Sequence, residues 1–81
     1  MKNDKKPEMS QFGQRLKELR RSRKMKQSEM ANLLGCATSH YQKMEYGQIN
    51  VPSMNLMFLA DYFGVTTDYL LGRSDDGGPA A

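Results

Sequence analysis

The chain has 81 residues, of which 38% are hydrophobic and 26% charged, and its formal net charge is +3. This length supports one small domain, which buries only about 60% of the surface that its unfolded chain exposes. The single cysteine excludes an internal disulfide. The lack of a signal peptide or a long apolar segment favours a soluble cytoplasmic protein with no membrane partner.

The charge is unevenly distributed along the chain. Residues 1–26 contain ten basic and three acidic side chains, a net charge of +7, whereas residues 27–81 carry a net charge of −4. A basic region of this kind is suited to binding a polyanion, although a solvated charged helix explains it as well. Charge alone does not separate DNA from RNA or from an acidic protein.

Helical periodicity predicts five helices, and no alternating β-branched run is present that would form a strand. The first helix is expected over residues 10–23, with Ser10 as its N-cap. Its buried stripe has the helical spacing i, i+4, i+7 and consists of Phe12, Leu16 and Leu19.

The next two predicted helices span residues 27–34 and 38–46 and are joined by a glycine turn. Gly35 gives this turn its backbone freedom. The first of the two helices is expected to bury Met30, Leu33 and Leu34, and the second to bury Tyr41 and Met44. This is the plan of a helix-turn-helix, whose second helix lies in the major groove of DNA. The outward side chains that can reach base edges there are Thr38, Ser39, Gln42 and Lys43.

The last third of the chain predicts two further helices. One spans residues 52–63, beginning with a proline that a first turn tolerates and ending at Gly64 as a C-cap. The other is short, spans residues 67–71 and ends at a glycine. A domain is thus predicted over residues 10–72, with flexible polar or Gly/Pro-rich tails at residues 1–9 and 73–81.

The helix predicted over residues 52–63 has more apolar side chains than one face can bury. The stripe expected to pack inward consists of Leu56, Leu59, Ala60 and Phe63. A second apolar stripe consists of Met54, Phe58 and Tyr62. Apolar surfaces that the core does not use often mark contact surfaces, so this stripe, together with Tyr69, is a candidate dimer face. Burial under the C-terminal tail, simple partial exposure and binding of a regulatory protein partner remain open as alternatives.

The chain resembles the Cro/repressor-type (Xre-like, lambda-repressor-like) DNA-binding domains of bacteria and phages. The resemblance runs from Phe12 to Gly72 and rests on four segments in order: residues 12–20 (Phe-Gly-Gln-Arg-Leu-Lys-Glu-Leu-Arg), residues 27–35 (Gln-Ser-Glu-Met-Ala through the glycine), residues 44–47 (Met-Glu-Tyr-Gly) and residues 59–72. It implies an all-α fold, a compact five-helix lambda-repressor-like domain. It also implies a transcriptional regulator that binds specific sequences of double-stranded DNA, with a repressor as the favoured form. Such a protein acts as a homodimer on a two-fold operator and has no enzymatic activity and no cofactor.

The resemblance also assigns the DNA contacts. Thr38, Ser39 and Lys43 match the base-reading positions of the family, with His40 and Gln42 as helpers. Lys43 is the strongest single candidate because lysine can donate to guanine O6 and N7. Gln27 matches the family's phosphate-clamping glutamine. Lys26 departs from the family, which mostly has Ser or Thr there, but offers a charge to the same phosphate. The loop after Gly47 also departs from the family pattern, although Tyr46, Gln48 and Asn50 can donate to phosphates without charge assistance. Arg20 and Glu45 match a pair that bridges the first helix to the end of the reading helix.

Three other classes of function are weaker interpretations of the sequence. Cys36 and His40 are four apart and can share one face of a helix, but no second histidine or cysteine completes a zinc site. The enzymatic alternative is that Cys36 is a thiolate nucleophile. The resemblance disfavours it, because the family has an apolar core residue at this position. RNA binding is disfavoured because no aromatic stacking platform is evident. The main alternative is an antitoxin or partner-controlled regulator whose principal role is to bind another protein.

Overall fold

The computed structural model describes residues 9–75, which form five helices and no strand. The helices are α1 (Ser10–Ser22), α2 (Gln27–Leu34), α3 (Thr38–Glu45), α4 (Ser53–Phe63) and α5 (Thr67–Leu70). The predicted all-α fold is confirmed, and every helix boundary lies within one residue of its expected position. The predicted tail residues 1–8 and 76–81 lie outside the described range. None of the helices in residues 9–75 has the length and hydropathy to span a membrane.

All five helices contribute to one core. Its buried side chains are Phe12, Leu16, Met30, Ala31, Tyr41, Met44, Leu59, Ala60, Phe63 and Leu70. The inward stripes predicted for α1 and α4 are largely confirmed, with Leu19 and Leu56 only partly buried against the core. The prediction that Leu33 is buried is wrong, since this side chain is 40% exposed. Ala31 occupies the inner side of α2 beside Met30, and Leu33 lies roughly a third of a turn away from that side.

The helix ends follow from backbone hydrogen bonds. Ser10 was expected to cap α1, but the carbonyl of Met9 accepts from Gly13 N at 2.9 Å, so helical bonding starts one residue earlier and Met9 holds the N-cap position. In the same way Pro52 precedes α4, because its carbonyl accepts from Leu56 N at 3.0 Å. The predicted C-cap at Gly64 is confirmed by its left-handed φ of 69°.

Gly13 is the fourth residue of α1, and the backbone at the end of α3 packs directly against it. A Cβ at this position would overlap the carbonyl oxygen of Glu45 and lie 2.8 Å from its carbon and 2.9 Å from the carbonyl oxygen of Met44. Glycine normally weakens a helix interior by roughly 0.5–1 kcal/mol relative to alanine. The close packing of α1 on the end of α3 therefore explains why a glycine occupies this position.

The second apolar stripe of α4 is divided between exposed and packed side chains. Met54 is 75% exposed and Phe58 40% exposed, whereas Tyr62 is half-buried. The Tyr62 hydroxyl donates to Met25 Sδ at 3.6 Å, and its ring lies under the Arg23 guanidinium at 5.1 Å. Tyr62 therefore has an intramolecular role that its spacing did not predict. The exposed apolar side chains of α4 are instead Met54, Met57 and Phe58, with Met57 55% exposed and the Phe58 ring stacked on Tyr62 at 5.8 Å.

Residues 73–75, predicted as the start of a flexible tail, are attached to α1 through Arg15. Its Nη1 donates to the carbonyl oxygens of Tyr69 at 3.0 Å and Ser74 at 2.7 Å, and its Nη2 donates to Asp75 Oδ1 at 2.9 Å. The guanidinium also covers the Tyr69 ring at 4.2 Å. Tyr69, like Tyr62, is thus engaged within the chain rather than presented as a free face.

Candidate nucleic-acid interface

The candidate interface is built on α2 and α3, which are joined at a left-handed glycine. Gly35 has φ 71°, and the N–H of the following Cys36 donates to the Ala31 carbonyl at 3.0 Å. A residue with a side chain is strained at this φ, so the glycine makes the sharp turn possible. The turn lets Met30 and Ala31 of α2 and Tyr41 and Met44 of α3 enter the same core.

The exposed side of α3 is polar and lies opposite its buried side. Tyr41, Met44 and Glu45 are buried, and at about 100° per residue the opposite side of the helix carries Ser39 and Lys43. Thr38 and Gln42 flank this side towards α2, and His40 flanks it on the other edge. Thr38, Ser39, His40 and Lys43 are exposed.

The capping of α3 decides whether Thr38 is available for a ligand. Ala37 occupies the N-cap position, no side chain caps the helix, and the Ala37 carbonyl accepts from Tyr41 N at 3.1 Å. Thr38 is the first helical residue, and its hydroxyl makes no hydrogen bond within residues 9–75. The hydroxyl is therefore available for an external partner.

A buried carboxylate holds the C-terminal end of α3 against α1. Glu45 Oε2 accepts from Arg20 Nε at 2.5 Å and from the Tyr41 hydroxyl at 2.6 Å, and Glu45 Oε1 accepts from Arg20 Nη2 at 3.3 Å. The side chains of Arg20 and Glu45 are only 12% and 1% exposed. Arg20 Nη1 also donates to the Met25 carbonyl at 2.7 Å, which ties the α1–α2 connection to the same group. The predicted bridge between α1 and α3 is present.

The titration of this cluster follows from its hydrogen bonds. Burial by itself would raise the pKa of Glu45, but hydrogen bonds from Arg20, Tyr41 and Gln27 outweigh it and lower the pKa below the usual value of 4.5. Burial, reinforced by the hydrogen bond to Glu45, raises the pKa of the Tyr41 hydroxyl. At neutral pH the cluster therefore contains a carboxylate that accepts and a neutral hydroxyl that donates.

Gln27, the predicted phosphate clamp, is connected to this cluster at the start of α2. Its Nε2 donates to Glu45 Oε1 at 3.0 Å, and its Oε1 accepts from Gln42 Nε2 at 3.0 Å. Gln27 thus lies between the buried carboxylate and the side of α3. Its amide retains one hydrogen that no described residue accepts.

The other residues predicted to contact phosphates have exposed side chains. The Lys26 side chain is exposed, while its backbone N–H donates to Glu29 Oε1 at 2.7 Å, which satisfies one N–H at the start of α2. Tyr46 follows α3 and is 64% exposed. Gln48 and Asn50, in the loop after α3, are also exposed. The structure thus leaves these side chains, which precede α2 or follow α3 in the chain, open to solvent.

Two structural contributors to the site were missed in the sequence. The Tyr41 hydroxyl was treated only as part of a core side chain, although its i, i+4 spacing from Glu45 is a signal for a side-chain pair on one helix. Gly13 was also missed, and its signal was a glycine inside an otherwise regular helical pattern.

The alternative chemistry at Cys36 and His40 gains no support from the fold. Cys36 is half-buried and packs against the core, whereas His40 is exposed. Within residues 9–75 no group of three or more histidine, cysteine, aspartate or glutamate side chains is placed to hold a metal ion.

These features define a helix-turn-helix protein, and comparison with known proteins agrees. A model described as a helix-turn-helix domain matches residues 13–75. The chain is 36% identical over 68 residues to an uncharacterized HTH-type transcriptional regulator, YobD, of Bacillus subtilis, covering 84% of this chain. It is 40% identical over 60 residues to a SPbeta prophage-derived uncharacterized HTH-type transcriptional regulator, YonR, of the same organism, covering 74% of this chain.

A solved structure is also similar over most of the chain. The restriction-modification controller protein C.AhdI from Aeromonas hydrophila is 35% identical, with a TM-score of 0.66 over 76% of this chain and 94% of that one. The chain spans 61% and 56% of the lengths of the two curated relatives. The chain belongs to the helix-turn-helix domain family, which confirms the resemblance to Cro/repressor-type domains.

Proposed function

We propose that the protein is a sequence-specific regulator that binds double-stranded DNA with α3 in the major groove, as a homodimer on a two-fold operator. The observation that carries this proposal is the exposed polar side of α3, whose angle is held by the buried ion pair of Arg20 and Glu45. The relatives named as HTH-type transcriptional regulators support it. A protein that occupies a promoter blocks access of the transcription machinery to the DNA. We therefore expect the protein to act as a repressor.

The contacts divide into base reading and backbone binding. Lys43 is central on the exposed side of α3 and is assigned to a base, with Thr38 and Ser39 beside it. Backbone binding is assigned to Gln27 and Lys26 at the start of α2 and to Tyr46, Gln48 and Asn50 after α3. Two exposed basic side chains, Arg21 in the last turn of α1 and Lys24 in the α1–α2 connection, are assigned to the same backbone binding.

Lys43→Ala is expected to weaken binding to the selected operator by about 1–3 kcal/mol and to relax the preference at one base position. Lys26→Ala is the matched control, because it removes the same charge from the backbone-facing side. It should weaken binding to all sequences alike and reduce the log–log salt slope by about one unit. Fluorescence anisotropy with operator and random duplexes over a salt series measures both effects. An unchanged base preference in Lys43→Ala would contradict its assignment.

The dimer is proposed to form through the exposed surface of α4. Met57 lies at the centre of this surface, and Ser53 and Asp61 are each four residues from it. In an antiparallel, two-fold pair of α4 helices crossing at Met57, Asp61 of each copy lies near the start of the other α4. No side chain caps that helix start, and an aspartate is stabilised beside the positive end of a helix. The exposed apolar and charged groups are therefore self-complementary.

Phe58→Glu removes the stacking contact with the Tyr62 ring but is expected to leave the chain folded, because this side chain is 40% exposed. It should abolish the dimer by placing two charges in an apolar interface. Operator affinity should fall because the two half-sites lose their linkage. Tyr62→Glu is the contrasting variant: it should also reduce stability, since Tyr62 contacts Met25 and Arg23. Sedimentation and circular dichroism separate the outcomes. A folded dimer in Phe58→Glu, or a wild-type monomer that binds a different protein through this face, would contradict the proposal.

A further inference from the structure

The hydrogen-bond acceptors of Glu45 are fully used, and this determines the orientation of the neighbouring amides. Its two oxygens accept four hydrogen bonds, two from Arg20, one from the Tyr41 hydroxyl and one from Gln27 Nε2. A carboxylate accepts only, at about four lone-pair positions. The end of the Gln27 amide that faces Glu45 must therefore be its NH₂ and not its carbonyl oxygen.

The orientation of the Gln27 amide in turn determines that of Gln42 on α3. Because Nε2 of Gln27 faces Glu45, its carbonyl Oε1 faces Gln42, and the Gln42 amide must turn its own NH₂ inward to donate to it at 3.0 Å. All the hydrogen bonds then run in one direction, from Gln42 through Gln27 to the buried carboxylate. Gln42 is half-buried at the edge of α3, not central on its exposed side as Ser39 and Lys43 are.

The amide hydrogen that Gln27 retains is a donor at the start of α2. A phosphate oxygen requires a donor, whereas an uncovered carbonyl Oε1 at the same position would repel it. The hydrogen bond from Gln42 covers that carbonyl and prevents rotation of the amide. Preorganised donors of this kind bind a ligand without a further loss of side-chain entropy.

We propose that Gln42 is a positioning residue that fixes the Gln27 amide with a donor towards the DNA backbone, and that Gln42 itself does not read a base. This inference rests on the proposed function and narrows the set of base-reading side chains. It assigns sequence preference to Thr38, Ser39 and Lys43, and it makes Gln42 a determinant of affinity for DNA of any sequence.

A double-mutant cycle tests this role directly. Gln42→Met should weaken binding about fivefold, on operator and random duplex alike, and should leave the selected base preference unchanged. Because Gln42 acts through Gln27, the double variant Gln27→Met/Gln42→Met should bind no more weakly than Gln27→Met alone. Gln48→Met is the matched control. It removes an exposed glutamine amide with no bond to Gln27, so its effect should add to that of Gln27→Met.

The free protein provides a readout that does not depend on DNA. In Gln42→Met the side-chain NH₂ resonances of Gln27 should shift and exchange faster with solvent, while the backbone resonances of α3 stay in place. Unchanged Gln27 resonances would overturn the hydrogen-bond chain even if DNA binding is intact. Additive losses of affinity, an altered base preference or unchanged affinity in Gln42→Met would overturn the positioning role. Failure of the wild-type protein to bind any duplex would instead contradict the proposed function.

Discussion

Glu45→Ala is expected to lower the free energy of unfolding by about 3–5 kcal/mol, because it leaves Arg20 and the Tyr41 hydroxyl without their shared acceptor in a nearly buried site. A domain of this length has a total stability of about 4–12 kcal/mol, so the loss removes a large part of it. Chemical denaturation monitored by circular dichroism measures the change. Glu18→Ala is the matched control: its carboxylate is exposed on α1 and accepts from Gln14 at 3.1 Å, so little stability should be lost.

The pH dependence of stability tests the same carboxylate without removing it. The pKa of Glu45 is lower in the folded chain than its usual value of 4.5, so its stabilising contribution is complete above about pH 4.5. That contribution is lost as the pH falls through the folded pKa. In Glu45→Gln this part of the acid dependence should be absent. Equal acid sensitivity in the two proteins, or a loss below about 1 kcal/mol in Glu45→Ala, would contradict the structural role of the bridge.

Gly13→Ala is expected to destabilise the fold by about 1–3 kcal/mol, although alanine is the better helix former. The added Cβ would overlap the carbonyl of Glu45 and force α1 and α3 apart. Because the backbone of α3 must shift, DNA affinity should fall as well, even at temperatures where the variant stays folded. Thermal unfolding and duplex binding on the same samples measure the two effects.

The sign of the Gly13→Ala effect separates packing from helix propensity. Propensity alone predicts a gain of about 1 kcal/mol, and the contact with α3 predicts a loss. Gln14→Ala, at the next and exposed position, is the control for general effects on α1 and should change stability by less than about 0.5 kcal/mol. A stabilised Gly13→Ala protein with unchanged affinity would show that α1 and α3 are not in close contact.

The sequence predicted the features that depend on local periodicity. Phe12 and Leu16 repeat at helical spacing, and Gly35 and Gly64 end helices in the left-handed conformation, so these signals placed α1, α2 and α4. Arg20 and Glu45 were paired only through the family resemblance, because residues that lie 25 positions apart carry no local signal of contact. The family resemblance therefore supplied the long-range part of the site.

The remaining features depend on packing between helices, which the order of residues does not specify. Leu33 has the right spacing to be buried, yet α2 turns Ala31 inward instead. Tyr62 belongs to an apolar stripe, yet its hydroxyl and ring are engaged by Met25 and Arg23 from the α1–α2 connection. Arg15 was one basic residue among many until the fold brought Ser74 within 2.7 Å of it.

Selection of bound sites from a pool of random duplex DNA tests the central claim most directly. If the protein reads the major groove with α3 as a homodimer, the enriched sequences share a two-fold symmetric pattern. The centres of its half-sites should lie about 34–36 Å apart, one turn of the duplex, or a multiple of that distance. Enrichment of no sequence, or of one without two-fold symmetry by a protein that stays monomeric on it, would contradict the account.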